Sequence, residues 1–183
     1  VTQYDHPANA LAPYETTGPE ISEHTGVQIT HFVVGVRTAR TLSAVAPSFQ
    51  ANNPLIQIWG IATYGSVFTQ FHETGIFDET EIYPYITEGI GEDIIPKNVN
   101  FELIDKFEKV TDEDAAIYTR KLAKQEGIFA GNSCGAAVKG VLQLKEKFTK
   151  DDVVVVLLHD SGSRYIGKIY NDDWMIKNNF SLD

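Results

Sequence analysis

Thr30-His31-Phe32-Val33-Val34-Gly35-Val36 is the stretch that decides the architecture. It is β-branched and apolar throughout, the composition of a strand buried on both faces. Thr38–Gln50 follows with helical spacing, Leu42, Val45, Ala46 and Phe49 forming one apolar stripe, and Pro47 is expected to interrupt or kink it. The same succession repeats outward from there. Leu55–Ile61 reads as a strand closed by a polar turn at Thr63–Ser66, and Val67–Thr74 as a short helix ending at Gly75. Leu103–Val110 is a further strand candidate. Thr111-Asp112-Glu113-Asp114 gives an N-cap with acidic first-turn residues for a helix over 111–126, stopped by Gly127. A helix over 133–148 comes next. Val153–Leu158 is the clearest buried strand, and Ser161–Asn171 is expected to start the last helix. Residues 75–100, with Pro84, Gly89, Gly91 and Pro96, are the least periodic part, and a long loop of this kind is often functional.

Alternating strands and helices with near-continuous apolar strands predict an α/β fold. The sheet is expected to be mostly parallel and twisted, with helices on both faces, in a single domain over 1–183. In such sheets ligands bind beyond the carboxyl ends of the strands. Three loops are expected there: 36–41, 130–135 and 159–164.

Composition narrows the functional classes. The chain has 183 residues, 43% of them hydrophobic, enough for one sizeable core. A net charge of −10 argues against nucleic acid as a partner, which calls for a basic stripe. No apolar run approaches the ~20 residues needed to span a membrane. Val1–His6 has neither a basic n-region nor an apolar h-region, so no signal peptide is expected. The single cysteine, Cys134, rules out an internal disulfide framework and suits a cytoplasmic location. His6, His24, His31 and His72 lack metal-ligand spacing, and the acidic residues 78–81 and 88–93 are expected to form a solvated face.

Three segments carry the chemistry. In Glu126-Gly127-Ile128-Phe129-Ala130-Gly131-Asn132-Ser133-Cys134-Gly135-Ala136-Ala137, Ser133 falls at a turn beside a helix N-terminus. First-turn amides there have no partners within the helix, so such an end can hold a polar atom of a ligand. The other two segments are Thr87-Glu88-Gly89-Ile90-Gly91-Glu92-Asp93 and the N-terminal stretch from Gln3 to Ile21. Taken in order, the three resemble the cysteine synthase and cystathionine β-synthase family, the fold-type II enzymes dependent on pyridoxal 5′-phosphate. The resemblance runs from Gln3 to about Phe180 and covers the C-terminal part of that family's catalytic core.

The resemblance implies β-replacement on serine or an activated serine, forming cystathionine or cysteine from small amino-acid substrates, in a homodimeric cytoplasmic enzyme. It also assigns roles. Thr38 and Thr41 would bind the cofactor phosphate, Ser133 the pyridine nitrogen, and Gly89 would lie beside the cofactor's reactive face in a Gly-Ile-Gly loop. Asp160 would approach the ring end of the site. Each has a plainer reading: Ser133 as an N-cap, Gly89 as an ordinary turn, Asp160 as the start of a helix. Cys134 reads as a packed small residue rather than a nucleophile.

Two departures qualify the match. The family's phosphate loop reads Gly-Thr-Gly-Gly-Thr, whereas this chain has Arg37-Thr38-Ala39-Arg40-Thr41. Glycine serves there because a phosphate must approach the backbone closely and some positions need positive φ. Ala39 is tolerable at modest cost if its φ is negative, and the arginines either pair with the phosphate or obstruct it. The Schiff-base lysine lies upstream in the family's core, and none of the lysines from Lys97 to Lys177 stands in that motif. It is therefore expected in an upstream segment or a partner chain. Two alternatives stay open: a catalytically impaired pseudoenzyme or interaction subunit of the same fold, and a nucleotide-binding α/β domain, for which no Gly-x-Gly-x-x-Gly loop exists.

Overall fold

Four parallel strands, β1 (His31–Gly35), β2 (Gln57–Thr63), β3 (Lys106–Val110) and β4 (Val154–Val156), form one sheet in the order β3-β2-β1-β4. They belong to a computed structural model that describes residues 16–183 apart from Val27, Asn98 and the side chain of Arg40. Residues 3–15 of the N-terminal motif lie outside the described residues. Val33 stands opposite Trp59 of β2 and Val156 of β4, so the 30–36 stretch is an interior strand, as its unbroken apolar character predicts.

The helices are α1 (Thr17–His24), α2 (Arg40–Asn52), α3 (Phe68–Thr74), α4 (Asp112–Glu126), α5 (Asn132–Gln143) and α6 (Asp172–Lys177). They cover both faces of the sheet. On one face Phe32, Val34, Ile58, Ala62 and Phe107 meet the α2 stripe of Leu42, Val45, Ala46 and Phe49. On the other, Val33, Trp59, Ile61 and Val110 meet Ala115 of α4 and Ala136 of α5. Each large side chain fully buried in this way contributes about 1.5–3 kcal/mol relative to exposure.

Helix ends follow the sequence signals closely. Thr111 caps α4 by accepting from the Asp114 amide at 3.1 Å, Gly127 ends it at φ 71°, and Gly75 ends α3 at φ 70°. Pro47 lies inside α2, yet the helix runs on to Asn52. Three expected elements change. The Leu103–Val110 strand opens as a 3-10 turn at Phe101–Leu103, with its strand confined to β3. The helix over 133–148 ends at Gln143 and continues as a 3-10 turn at Lys145–Lys147. The last helix divides into a 3-10 turn at Gly162–Tyr165 and a separate α6. There Asn171 takes the cap position, accepting from the Trp174 amide at 2.9 Å, and restarts the helix. β4 is shorter and less buried than Val153–Leu158 predicts, because among the described residues it lies at the sheet edge and pairs with β1 alone.

The contact that sets the position of α5 is with α4. A Cβ on Gly135 would overlap both Thr119 Oγ1 and the Ala115 carbonyl oxygen. Thr119 itself donates to the Ala115 carbonyl at 2.7 Å and is wholly buried. Gly135→Ala is therefore expected to push the helices apart and cost about 1–3 kcal/mol. A denaturation midpoint equal to the parent's would show that the helices do not meet this closely.

Candidate functional site

Because all four strands run the same way, their carboxyl ends share one edge of the sheet. The chain leaves β1 through Val36, Arg37 and Thr38, and Ala39 then stands at the N-terminus of α2 with φ 53°. The condition under which Ala39 is tolerable at modest cost, a negative φ, is thus not met. This is the left-handed backbone that glycine adopts freely and that costs an L-residue about 1–2 kcal/mol. Ala39 is also buried. A cavity of about 110 Å³ opens here, lined among others by Gly35, Thr38, Thr41, Gly89 and His159.

Arg37 does not simply point away. Its Nε donates to Glu92 Oε1 at 2.6 Å, and the Glu92 side chain is only 12% exposed. Glu92 therefore leaves the solvated acidic face in which the sequence places it. The guanidinium offsets burial of its carboxylate, and its backbone amide is satisfied separately, donating to Ser66 Oγ at 3.1 Å. The other acidic residues nearby behave differently: Asp78 caps the Thr80 amide, Glu81 pairs with Lys109 and Glu88 with Lys168.

The loop carrying Glu92 reaches the end of β1 through its backbone. The Gly91 amide donates to the Val36 carbonyl at 2.8 Å. Gly89 and Gly91 have φ of 90° and 75°, so both need glycine. Asp112 anchors the loop from the start of α4, accepting from the Ile86 and Thr87 amides at 2.7 and 2.8 Å and from Thr87 Oγ1. Sequence reading places Asp112 only as a first-turn acid, since nothing local announces a partner 26 residues away. A second cavity of about 240 Å³ lies along this loop, lined by Arg37, Tyr85, Thr87 and Gly89 among others. Burial, and then the charge of Glu92, push the Tyr85 hydroxyl up and keep it protonated.

Ser133 comes to the same edge from α5. It is buried, and the site of a Cβ on Gly89 would lie 3.5 Å from its Oγ. The turn before it does not follow a strand; it is drawn in by a bridge between Ala130 and Ser161 and by the Gly131 amide, which donates to the Asp160 carbonyl at 3.0 Å. The Asp160 carboxylate packs against Gly131, accepts from the Tyr165 hydroxyl at 2.9 Å and lies 3.7 Å from Cys134 Sγ. Both of its oxygens thus brace the Ser133 turn. Burial pushes the Cys134 thiol up, so it stays protonated and packed. Beside Ser133, the buried Asn132 Oδ1 has no hydrogen-bond partner among the described residues.

His159 has no part in the sequence reading of the site, yet it lines the cavity with Thr38 and Thr41. The signal for it is positional: it follows β4, the strand beside β1. The residue as a whole is exposed, but crowding by the surrounding protein lowers its pKa, against the opposing pull of Asp160 and the Gly35 carbonyl. The structure thus joins Thr38, Thr41, Gly89 and Ser133 around one edge and uses Asp160 as their support.

Comparison with known proteins agrees with this geometry. The family model described as pyridoxal-phosphate dependent enzyme matches residues 1–160. The chain belongs to that family. A solved structure of the O-acetylserine-dependent cystathionine β-synthase of Helicobacter pylori superposes with a TM-score of 0.80 and 34% identity, over 92% of this chain and 53% of that one. Cystathionine β-synthase of Oryctolagus cuniculus is 32% identical over 97% of this chain and 32% of its own length. Cysteine synthase A of Escherichia coli K12 is 36% identical over 90% of this chain and 51% of its own length. The chain therefore spans between a third and a half of these relatives.

The family's cofactor fits the residues present, on altered terms. The cavity after β1 suits a group the size of a phosphate, and only with its neighbour across Arg37 and Gly89 does it approach the ~300 Å³ of a small-molecule site. Thr38 and Thr41 line the first cavity, and Ser133, in the first turn of α5, stands beside Gly89. The bare amide approach of a glycine loop is what Ala39 and Arg37 remove. Ala39→Gly, which relieves the left-handed backbone, is expected to raise stability by about 0.5–1 kcal/mol. Unchanged or lower stability in thermal denaturation would contradict the positive φ.

Proposed function

We propose that the chain forms the phosphate- and ring-binding part of a pyridoxal phosphate site in a longer enzyme. That enzyme carries out β-replacement on serine or an activated serine to form cystathionine or cysteine. One juxtaposition supports the reading most: the hydroxyl-lined cavity after β1 and Ser133 Oγ meet across Gly89. The plainer N-cap reading does not account for that meeting: Gly131 holds the cap position of α5, and Ser133 lies inside its first turn.

In this reading the Thr38 and Thr41 hydroxyls donate to the phosphate, with charge-assisted strength. Ser133 meets the pyridine nitrogen with a neutral hydroxyl, which leaves that nitrogen unprotonated. Bound there, the cofactor supplies the electron sink for loss of the β-substituent. Gly89 keeps the space beside the reacting face clear, and Asp112 holds the 86–87 backbone that borders the substrate cavity. Asp160 and Tyr165 keep the Ser133 turn in place. The cofactor-bearing lysine belongs to the remainder of the catalytic core, of which this chain forms the C-terminal part. The Asp160 segment and Asp172-Asp173-Trp174-Met175 lean towards the cystathionine β-synthase branch. The complete enzyme is read as a cytoplasmic homodimer; among the described residues no helix is long and apolar enough to cross a membrane.

The second reading, a relative with impaired cofactor binding, is favoured by the left-handed Ala39 and by the engagement of Arg37 with Glu92. Titration of the complete protein with pyridoxal phosphate, followed by assay of cystathionine and cysteine formation from serine or O-acetylserine, tests both. Ser133→Ala is expected to weaken binding about tenfold, the loss of one charge-independent hydrogen bond in a dry site. If the altered loop limits affinity, Arg37→Gly, Ala39→Gly and Arg40→Gly together tighten binding. If the arginines hold the phosphate, the triple change weakens it and salt loosens the parent. Absence of binding in the parent and the triple variant alike would remove the enzyme reading.

A further inference from the structure

The cavity after β1 has lost the glycines that let backbone amides close on a phosphate, so any phosphate held there needs other donors. His159 is placed to be one. β4 pairs with β1 in parallel, the Leu157 amide donating to the Val33 carbonyl at 3.0 Å, and this delivers residue 159 beside Gly35. The imidazole lies close against β1: a Cβ on Gly35 would meet Ile90 Cγ2 first, at 2.5 Å, and then His159 Cε1 at 3.1 Å. With Arg37, Thr38 and Thr41 it supplies the polar side chains of the cavity wall.

Resting on the cofactor reading above, we propose that His159 is a phosphate-binding residue, its protonated imidazole supplying the positive donor that the missing amide cradle no longer gives. The groups facing it among the described residues set the sign of the effect. Asp160 follows it in the chain, the Gly35 carbonyl lies on β1, Arg37 lines the same cavity, and the Cys134 thiol contacts its backbone from α5. Of these, Asp160 and the Gly35 carbonyl favour the charged ring, while crowding by protein disfavours it. A bound phosphate adds a further charge in favour of protonation. Affinity for a phosphate ester therefore falls as pH rises through the imidazole's pKa in the complex. The acid limit is set by the ester itself, which loses its second charge below about pH 6.

A probe without an aldehyde keeps lysine chemistry out of the measurement. Pyridoxine 5′-phosphate and pyridoxine are bound to the cofactor-free complete protein by equilibrium dialysis between pH 6 and pH 8. The parent is expected to hold the phosphorylated probe roughly tenfold more weakly at pH 8 than at pH 6. His159→Gln is expected to remove that slope and bind weakly throughout. His159→Arg, with a permanent charge, is expected to bind tightly at both pH values, and pyridoxine is expected to be indifferent to either change. A His159→Gln variant with the parent's slope, or a His159→Arg variant as weak as His159→Gln, overturns the proposal while leaving the cofactor reading in place. A parent that binds neither probe at any pH overturns both.

Discussion

Everything at the candidate site depends on β1 being held in parallel between two neighbours. Its pairing with β2 on one side and β4 on the other brings three chain segments to one edge, although they are far apart in sequence. Gly35, Val36 and the loop to α2 come from β1 itself. His159 and Asp160 come from the end of β4. The Gly91 amide closes on the Val36 carbonyl and fixes the glycine loop against the same point. Parallel pairing places every carboxyl end together, so a single site can draw on all of them. An antiparallel arrangement would send half of these loops to the opposite edge.

Around that edge, residues with side chains stand where the family's phosphate loop has glycines. A glycine loop recognises phosphate by letting amides approach it, at little cost in desolvated charge. Here the corresponding loop carries Arg37, and Arg37 is tied to the buried Glu92. The pair ties the loop after β1 to the glycine loop, because Glu92 follows directly on Gly91. Loss of Arg37 would leave the Glu92 carboxylate in a poorly solvated place, whereas the Arg37 side chain is itself half exposed. Ala39 adds a left-handed backbone without the glycine that relaxes it. The fold tolerates this because the burial of Phe32, Phe49, Leu42 and their neighbours around α2 far exceeds the local strain.

Support for Ser133 is equally indirect. α5 starts where it does because Gly135 lets α4 approach and because Asp160 packs against Gly131. Tyr165 in turn holds Asp160, and the Tyr170 hydroxyl holds the Ala130 carbonyl at 2.7 Å. The residues 159–170, which sequence pattern assigns mainly to a helix, thus act as a brace around the helix N-terminus. Helical propensity yields there to a cluster of specific bonds, since Ser161 and Asn171 each satisfy backbone amides better as caps than within a helix.

The sequence by itself determined the features that repeat along the chain or depend on near neighbours. The apolar run at 30–36, the α2 stripe, the Thr111 cap and the Gly75 and Gly127 stops were legible, because strand burial, helix faces and caps follow from residues a few positions apart. The positions Thr38, Thr41, Gly89 and Ser133 were marked by the family resemblance rather than by spacing. Tertiary structure alone decided which distant groups met them. The union of Arg37 with Glu92 spans 55 residues and that of Asp112 with the Thr87 amide spans 25, and no periodicity encodes such a pair. His159 gained its place only when β4 docked beside β1, and Ala39 took a positive φ only when α2 was packed down on the sheet. Local order is written in spacing; the chemistry of this edge is set by packing, which brings together charges and donors that the chain keeps apart.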